Sequence, residues 1–164
     1  DIAGLILLSP NIEINDAKAW MLNNHWGLQI AKAVAGTYRK ASDTTAIYAQ
    51  YWNNKYRIES TVQLEELLES TMKKSTFEKV NQPTLLLYYY KDEEHQDPVV
   101  KVSAMKRMFS QLGTADSLKR EVALPYTGDH VIGSYIKSKD VQSVVNETEK
   151  FAREILHITE INNQ

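Results

Sequence analysis

The run Thr84-Leu85-Leu86-Leu87-Tyr88-Tyr89-Tyr90 limits the choice of fold more than any other segment. It carries no charge and does not alternate as a half-solvated strand would. Entered through Gln82-Pro83, it fits a parallel strand covered on both faces. Gly4-Leu5-Ile6-Leu7-Leu8, closed by Ser9-Pro10, has the same continuous apolar character. A third run, Lys119 to Leu124, is closed by Pro125 and alternates, which suits a strand nearer a sheet edge. Helical spacing fills the intervals. Val102 to Leu112 puts Ala104, Met105, Met108, Phe109 and Leu112 on one face, with Gly113 as its stop. Asp140 to Leu156 does the same with Val141, Val144, Val145, Thr148, Phe151 and Ile155. Strands alternating with helices predict an α/β fold built on three mainly parallel strands.

The stretch between the first two strands is too long for a simple crossover. It contains all three tryptophans (Trp20, Trp26 and Trp52) and Tyr38, Tyr48, Tyr51 and Tyr56. Helices are predicted over about 16–23, 27–35, 44–52 and 62–72, with Asp43 and Thr61 as N-caps. Glu65, Glu66 and Glu69 give the last of these a solvated face. The chain therefore divides into a core, residues 1–10 and 78–164, and a helical insertion, residues 11–77.

Composition removes several function classes. With no cysteine among 164 residues, disulfides, thiol catalysis and Cys-based metal sites are excluded. Nineteen basic against 21 acidic residues give no electrostatic footprint for nucleic acid. No apolar run approaches the roughly 18 residues of a membrane span. The four histidines lack metal-ligand spacing, and Asp92, Glu93 and Glu94 crowd like charges together, so neither a metal nor a cofactor is expected.

Two segments carry chemistry. Pro83 to Asp92 resembles the penultimate strand and acid turn of the α/β-hydrolases. Leu124-Pro125-Tyr126-Thr127-Gly128-Asp129-His130 resembles the histidine loop that follows the last strand in that family. Gly4 to Pro10 is similar to the strand that leads into its helical cap. The resemblance spans nearly the whole chain and implies the C-terminal portion of a serine hydrolase, esterase- or lipase-like, including the cap. Ligands of such sheets bind beyond the carboxyl ends of the strands, so the reactive groups ride on the loops that follow them. His130 then matches the general base, which takes the proton of a serine while a carboxylate holds its tautomer.

The acid is open between two residues. Counted from Pro83, Asp92 stands where the family places it. Counted from the other end, Asp97-Pro98-Val99-Val100 matches, with Asp92 to Gln96 as about five extra residues. His95 lies between the two and reads as an exposed loop residue, the alternative being that it lines the site or pairs with one of the carboxylates. His25 reads as structural or surface, and His157 as incidental. The aromatics of the insertion fit a lid over an ester or acyl pocket. Trp20, Trp26, Tyr48 and Trp52 are the candidate substrate contacts, although most of the aromatics must form the insertion's own core.

The family's nucleophile sits in G-x-S-x-G. The glycines here, at 4, 27, 36, 113, 128 and 133, bracket no serine in that way. The chain opens at Asp1 and runs at once into a strand. The expectation is a C-terminal portion of a longer hydrolase, acting on a small ester or acyl substrate and inactive alone for lack of nucleophile and oxyanion hole. The alternative is a non-catalytic binding or interaction module on the same fold. The strand at 4–8 is expected to be paired on both sides, by the missing N-terminal half or by a second copy. Compartment is unreadable, cytoplasmic only by default, since a targeting signal would precede Asp1.

Overall fold

The computed structural model describes residues 2–159; Asp1 and 160–164, the ends of the expected core segments, lie outside the described residues. In chain order the elements are β1 (Leu5–Leu8), α1 (Gly27–Ala35), β2 (Tyr38–Lys40), α2 (Ala46–Tyr51), β3 (Lys55–Arg57), α3 (Glu59–Thr71), α4 (Lys74–Phe77), β4 (Thr84–Tyr88), α5 (Val102–Ser110), β5 (Lys119–Ala123) and α6 (Val141–Glu154). Short 3-10 turns cover Ala19–Asn23 and Asp116–Leu118. The chain forms two compact units, one of residues up to 13 and from 73 onward, the other of residues 14–72.

The first unit is α/β. Its sheet has the order β1-β4-β5, parallel throughout, with Leu5 opposite Thr84 and Thr84 opposite Lys119. β4 is the central strand and is buried along its whole length, as an uncharged run requires. Leu85 and Leu87 share one face with Leu124 and Ile132, against Val144 and Phe151 of α6. Phe151 is fully buried, and truncating such a ring to alanine costs about 3–5 kcal/mol. Asp140 starts α6 by accepting a hydrogen bond from the Ser143 amide at 3.0 Å. α5 buries Val102, Ala104, Met105, Met108 and Phe109, the stripe its spacing predicts.

Two expectations for this unit are corrected. β1 reads in sequence as a strand covered on both faces, yet one of its faces is open among the described residues, where it pairs with β4 alone. Ile6 and Leu8 are 42% and 41% exposed. Gly113 does not stop α5 by a left-handed turn, since the helix ends at Ser110. Its lack of a side chain serves a close approach instead: a Cβ there would lie 2.3 Å from the Glu78 carbonyl oxygen.

The second unit holds three of the four predicted helices, with only a 3-10 turn at Ala19–Asn23 where the first was expected, and one element that was not predicted, an antiparallel ribbon pairing Tyr38 with Arg57 and Lys40 with Lys55. Thr45, not Asp43, caps α2 by accepting from the Tyr48 amide. Asp43 in turn accepts from the Thr45 hydroxyl at 2.7 Å. α3 starts at Glu59, so Thr61 lies inside its first turn rather than at its cap. Glu59 accepts from Arg57 and Lys32, both at 2.8 Å, and these bonds, Arg57 first, hold its carboxyl well below the ordinary range. Ile58, Leu68, Ala31 and Ala19 are buried. Glu65 is buried as well, so only Glu66 and Glu69 show the solvated face expected of all three.

Candidate active site

The loops after β4 and β5 leave the carboxyl end of the sheet side by side. The Leu124 amide extends the pairing by donating to the Tyr88 carbonyl at 2.8 Å. Beyond β4 the chain makes a closed excursion. Tyr90 bridges Gln96 in antiparallel fashion, and the Lys91 amide donates to the His95 carbonyl. Inside this small hairpin, Asp92 Oδ1 accepts from the amides of Glu94 and His95 and contacts His95 Nδ1 at 2.7 Å. The Tyr90 hydroxyl and the Gln96 side chain both bond Glu93. Chain direction is restored at Asp97, whose amide donates to the Tyr89 carbonyl at 3.1 Å. The excursion adds residues without moving Asp97 away from the end of β4.

Asp97 is fully buried, and its carboxylate is held on both oxygens. Oδ1 accepts from the amides of Val99 at 2.9 Å and Val100 at 3.0 Å. Oδ2 lies 2.8 Å from His130 Nδ1. Burial alone would push this carboxyl up. The hydrogen bonds from His130, Val100 and Val99 outweigh burial and hold it below its ordinary value. An ionised carboxylate can only accept, so the shared proton belongs to His130 Nδ1, and in a neutral imidazole Nε2 is then the acceptor.

The histidine loop is pinned at both ends. The buried Thr127 hydroxyl donates to the Leu124 carbonyl, and the Thr127 carbonyl accepts from the Lys139 amide at 2.9 Å. Gly128 turns the chain at φ +70°, a conformation that costs another residue about 1–2 kcal/mol. Asp129 accepts from the Val131 amide, and Ile132, 1% exposed, anchors the exit.

The structure thus brings His130 and Asp97 together, and the hydrogen bonds of Asp92 stay within its own hairpin. His25, His95 and His157 are exposed. Trp20, Trp26, Tyr48 and Trp52 all belong to the second unit. The first two are 62% and 71% exposed, and Tyr48 stacks on Trp52 with ring centroids 5.1 Å apart. Among the described residues no cluster of three or more His, Asp or Glu side chains could hold a metal ion. None of the described helices is long and apolar enough to cross a membrane.

Sequence reasoning missed the two amides that seat the carboxylate, for which Asp-Pro ahead of a helix is the available signal. It also missed Ser9. This residue closes β1 at φ +45° and is 4% exposed, and its hydroxyl has no hydrogen-bond partner among the described residues.

No family model matches the sequence, and no curated protein does. Solved structures do. One is from work on LipS and LipT, two metagenome-derived lipolytic enzymes. It superposes with a TM-score of 0.66 at 12% identity, over 93% of this chain and 56% of its own. Another is a soluble variant of the monoglyceride lipase of Saccharomyces cerevisiae in complex with a substrate analog. It gives 0.57 at 14% identity, over 92% of this chain and 55% of its own. The fold is α/β-hydrolase-like. The chain spans about half the length of these two structures.

Proposed function

We propose that this chain carries the acid and base of a serine hydrolase acting on carboxylic esters or similar acyl substrates. In this reading His130 is the base and Asp97 the acid. The nucleophile and oxyanion hole lie in polypeptide beyond these 164 residues, which form the C-terminal portion of the enzyme. The observation that carries the reading is the bond of 2.8 Å between His130 Nδ1 and a fully buried, doubly hydrogen-bonded carboxylate. A pair of this kind leaves Nε2 ready to take a serine proton and return it to the leaving alcohol, while Asp97 stabilises the imidazolium formed between the two steps.

Three features favour a missing half. No G-x-S-x-G occurs in the sequence. This chain covers only 56% and 55% of the superposed lipolytic structures. Among the described strands β1 has a free edge, and just after it in the chain the buried Ser9 hydroxyl and Asn11 Oδ1 lack partners among the described residues. Each such atom costs about 1–3 kcal/mol if nothing satisfies it. The second unit serves as the lid, with Trp20, Trp26, Tyr48 and Trp52 as acyl-pocket candidates.

The test is made on the polypeptide as it occurs in cells. A natural product longer at its N-terminus, containing G-x-S-x-G, labelled by a fluorophosphonate and hydrolysing short aryl esters, is the expected result. The 164-residue chain alone should do neither. A natural polypeptide that begins at Asp1 and binds acyl compounds without turnover would instead establish the non-catalytic module.

A further inference from the structure

Asp97 is seated by the amides of Val99 and Val100, so whatever fixes the turn from 97 to 101 fixes the acid. The near end of that turn is tied to Tyr89. The far end is Lys101, the N-cap of α5, and no side chain of its own caps the helix. What holds it is Glu13. The Glu13 carbonyl accepts from the Lys101 amide at 2.9 Å. Its carboxylate takes the Lys101 ammonium on Oε1 and the Arg107 guanidinium, further along α5, on Oε2 at 3.0 Å. One residue thus grips the start of α5 by backbone and side chain together. The hydrogen bond from Lys101 is the chief reason that the Glu13 carboxyl stays below its ordinary value, with Arg107 adding to it against partial burial. Lone surface ion pairs are worth little, but this one joins two cations and a backbone bond in one network.

We infer that Glu13 is a positioning residue for the acid–histidine pair, acting through Lys101 on the turn that seats Asp97. This role rests on the hydrolase reading above. The inner side of the same turn is held by Val100 and Val102, both buried, so the clamp sets orientation more than it sets whether α5 forms. Glu13 is also the last residue of the first unit before the chain enters the second. The segment that leads into the insertion and the loop that carries the acid are therefore fastened at one point.

The test uses the 164-residue chain labelled with nitrogen-15. His130 Nδ1–H, bonded to a carboxylate, gives a far-downfield proton signal, assigned by its absence in His130→Ala. Glu13→Gln should speed the exchange of this proton and of the Val99 and Val100 amides by about tenfold, the scale on which supporting partners act. The urea midpoint and the amides of β4 should not change. Arg107→Gln, which breaks only the outer half of the clamp, should give a smaller change at the same three sites and decides the matter if Glu13→Gln does not fold. Unchanged exchange at all three sites would overturn the role of Glu13. Asp97→Asn separates the two readings. If it leaves the His130 signal in place, the acid–base pair itself fails. If it removes the signal while Glu13→Gln has no effect, only the positioning role fails.

Discussion

Two Asp–His pairs take their carboxylates from one stretch of chain after β4, and their distances are almost the same: 2.8 Å for His130 with Asp97 and 2.7 Å for His95 with Asp92. Their surroundings differ. In the first pair the carboxylate side chain is 0% exposed and the imidazole 26%; in the second the values are 49% and 56%. The first joins residues from loops on neighbouring strands, the second residues three apart in one turn. A hydrogen-bond length therefore says little about what a pair can do. In a water-poor site the carboxylate fixes the tautomer and feels the imidazolium strongly, whereas an exposed pair is screened and competes with solvent.

The sharpest way to break this comparison is kinetic. In the nucleophile-bearing polypeptide, His130→Ala and Asp97→Asn should each lower kcat by about 10⁴-fold. Asp92→Asn and His95→Ala should leave ester hydrolysis nearly unchanged. A large loss in Asp92→Asn with Asp97→Asn active would reverse the assignment. Stability comes next. Asp97→Ala strands two amides and an imidazole, and should cost about 2–3 kcal/mol in urea unfolding of the chain. Asp92→Ala should leave the midpoint where it is.

Acid titration separates the pairs by degree. Asp97 has a folded pKa below its unfolded value of about 3.9, so its contribution is complete above that value and is lost as pH falls through the lower folded one. Asp92 is lowered too, mainly by His95, and shares the sign, but it is screened by solvent. Urea midpoints followed below about pH 5 should therefore flatten clearly in Asp97→Asn and only slightly in Asp92→Asn. The smallest effect is expected from replacing Lys91 to His95 by a two-residue Asn-Gly turn between Tyr90 and Gln96. The downfield His130 proton should persist, and its loss would mean that the hairpin does more than close on itself.

The same hairpin explains why the acid was ambiguous in sequence. Counting from Pro83 lands on Asp92 and counting back from Val100 lands on Asp97. Only the bridge between Tyr90 and Gln96 shows which residues are the excursion. The central strand and the faces of α5 and α6 were legible because burial on two sides or one stripe leaves a periodic trace. The ribbon of Tyr38–Lys40 with Lys55–Arg57 was not, since all six residues are exposed and carry no alternation. The open face of β1 was missed for a different reason: its apolar run matches a strand covered on both faces, although a partner beyond this chain was expected for its edge. The meeting of His130 with a carboxylate came from the family resemblance, because no local pattern links residues on successive strand loops.

The register of β1 also has a kinetic consequence. Leu5 meets Thr84 only after the whole second unit has been spanned, whereas β4 and β5 are joined by one helix. Closing the longer loop costs more chain entropy and brings fewer bonds, since β1 has four residues and, among the described residues, one partner strand. β4, β5 and α6 can collapse first on local contacts, which leaves β1 as the last strand to dock and the first to leave on partial unfolding. Amide exchange along the sheet should accordingly be fastest in Leu5–Leu8 and slowest in Leu85–Leu87.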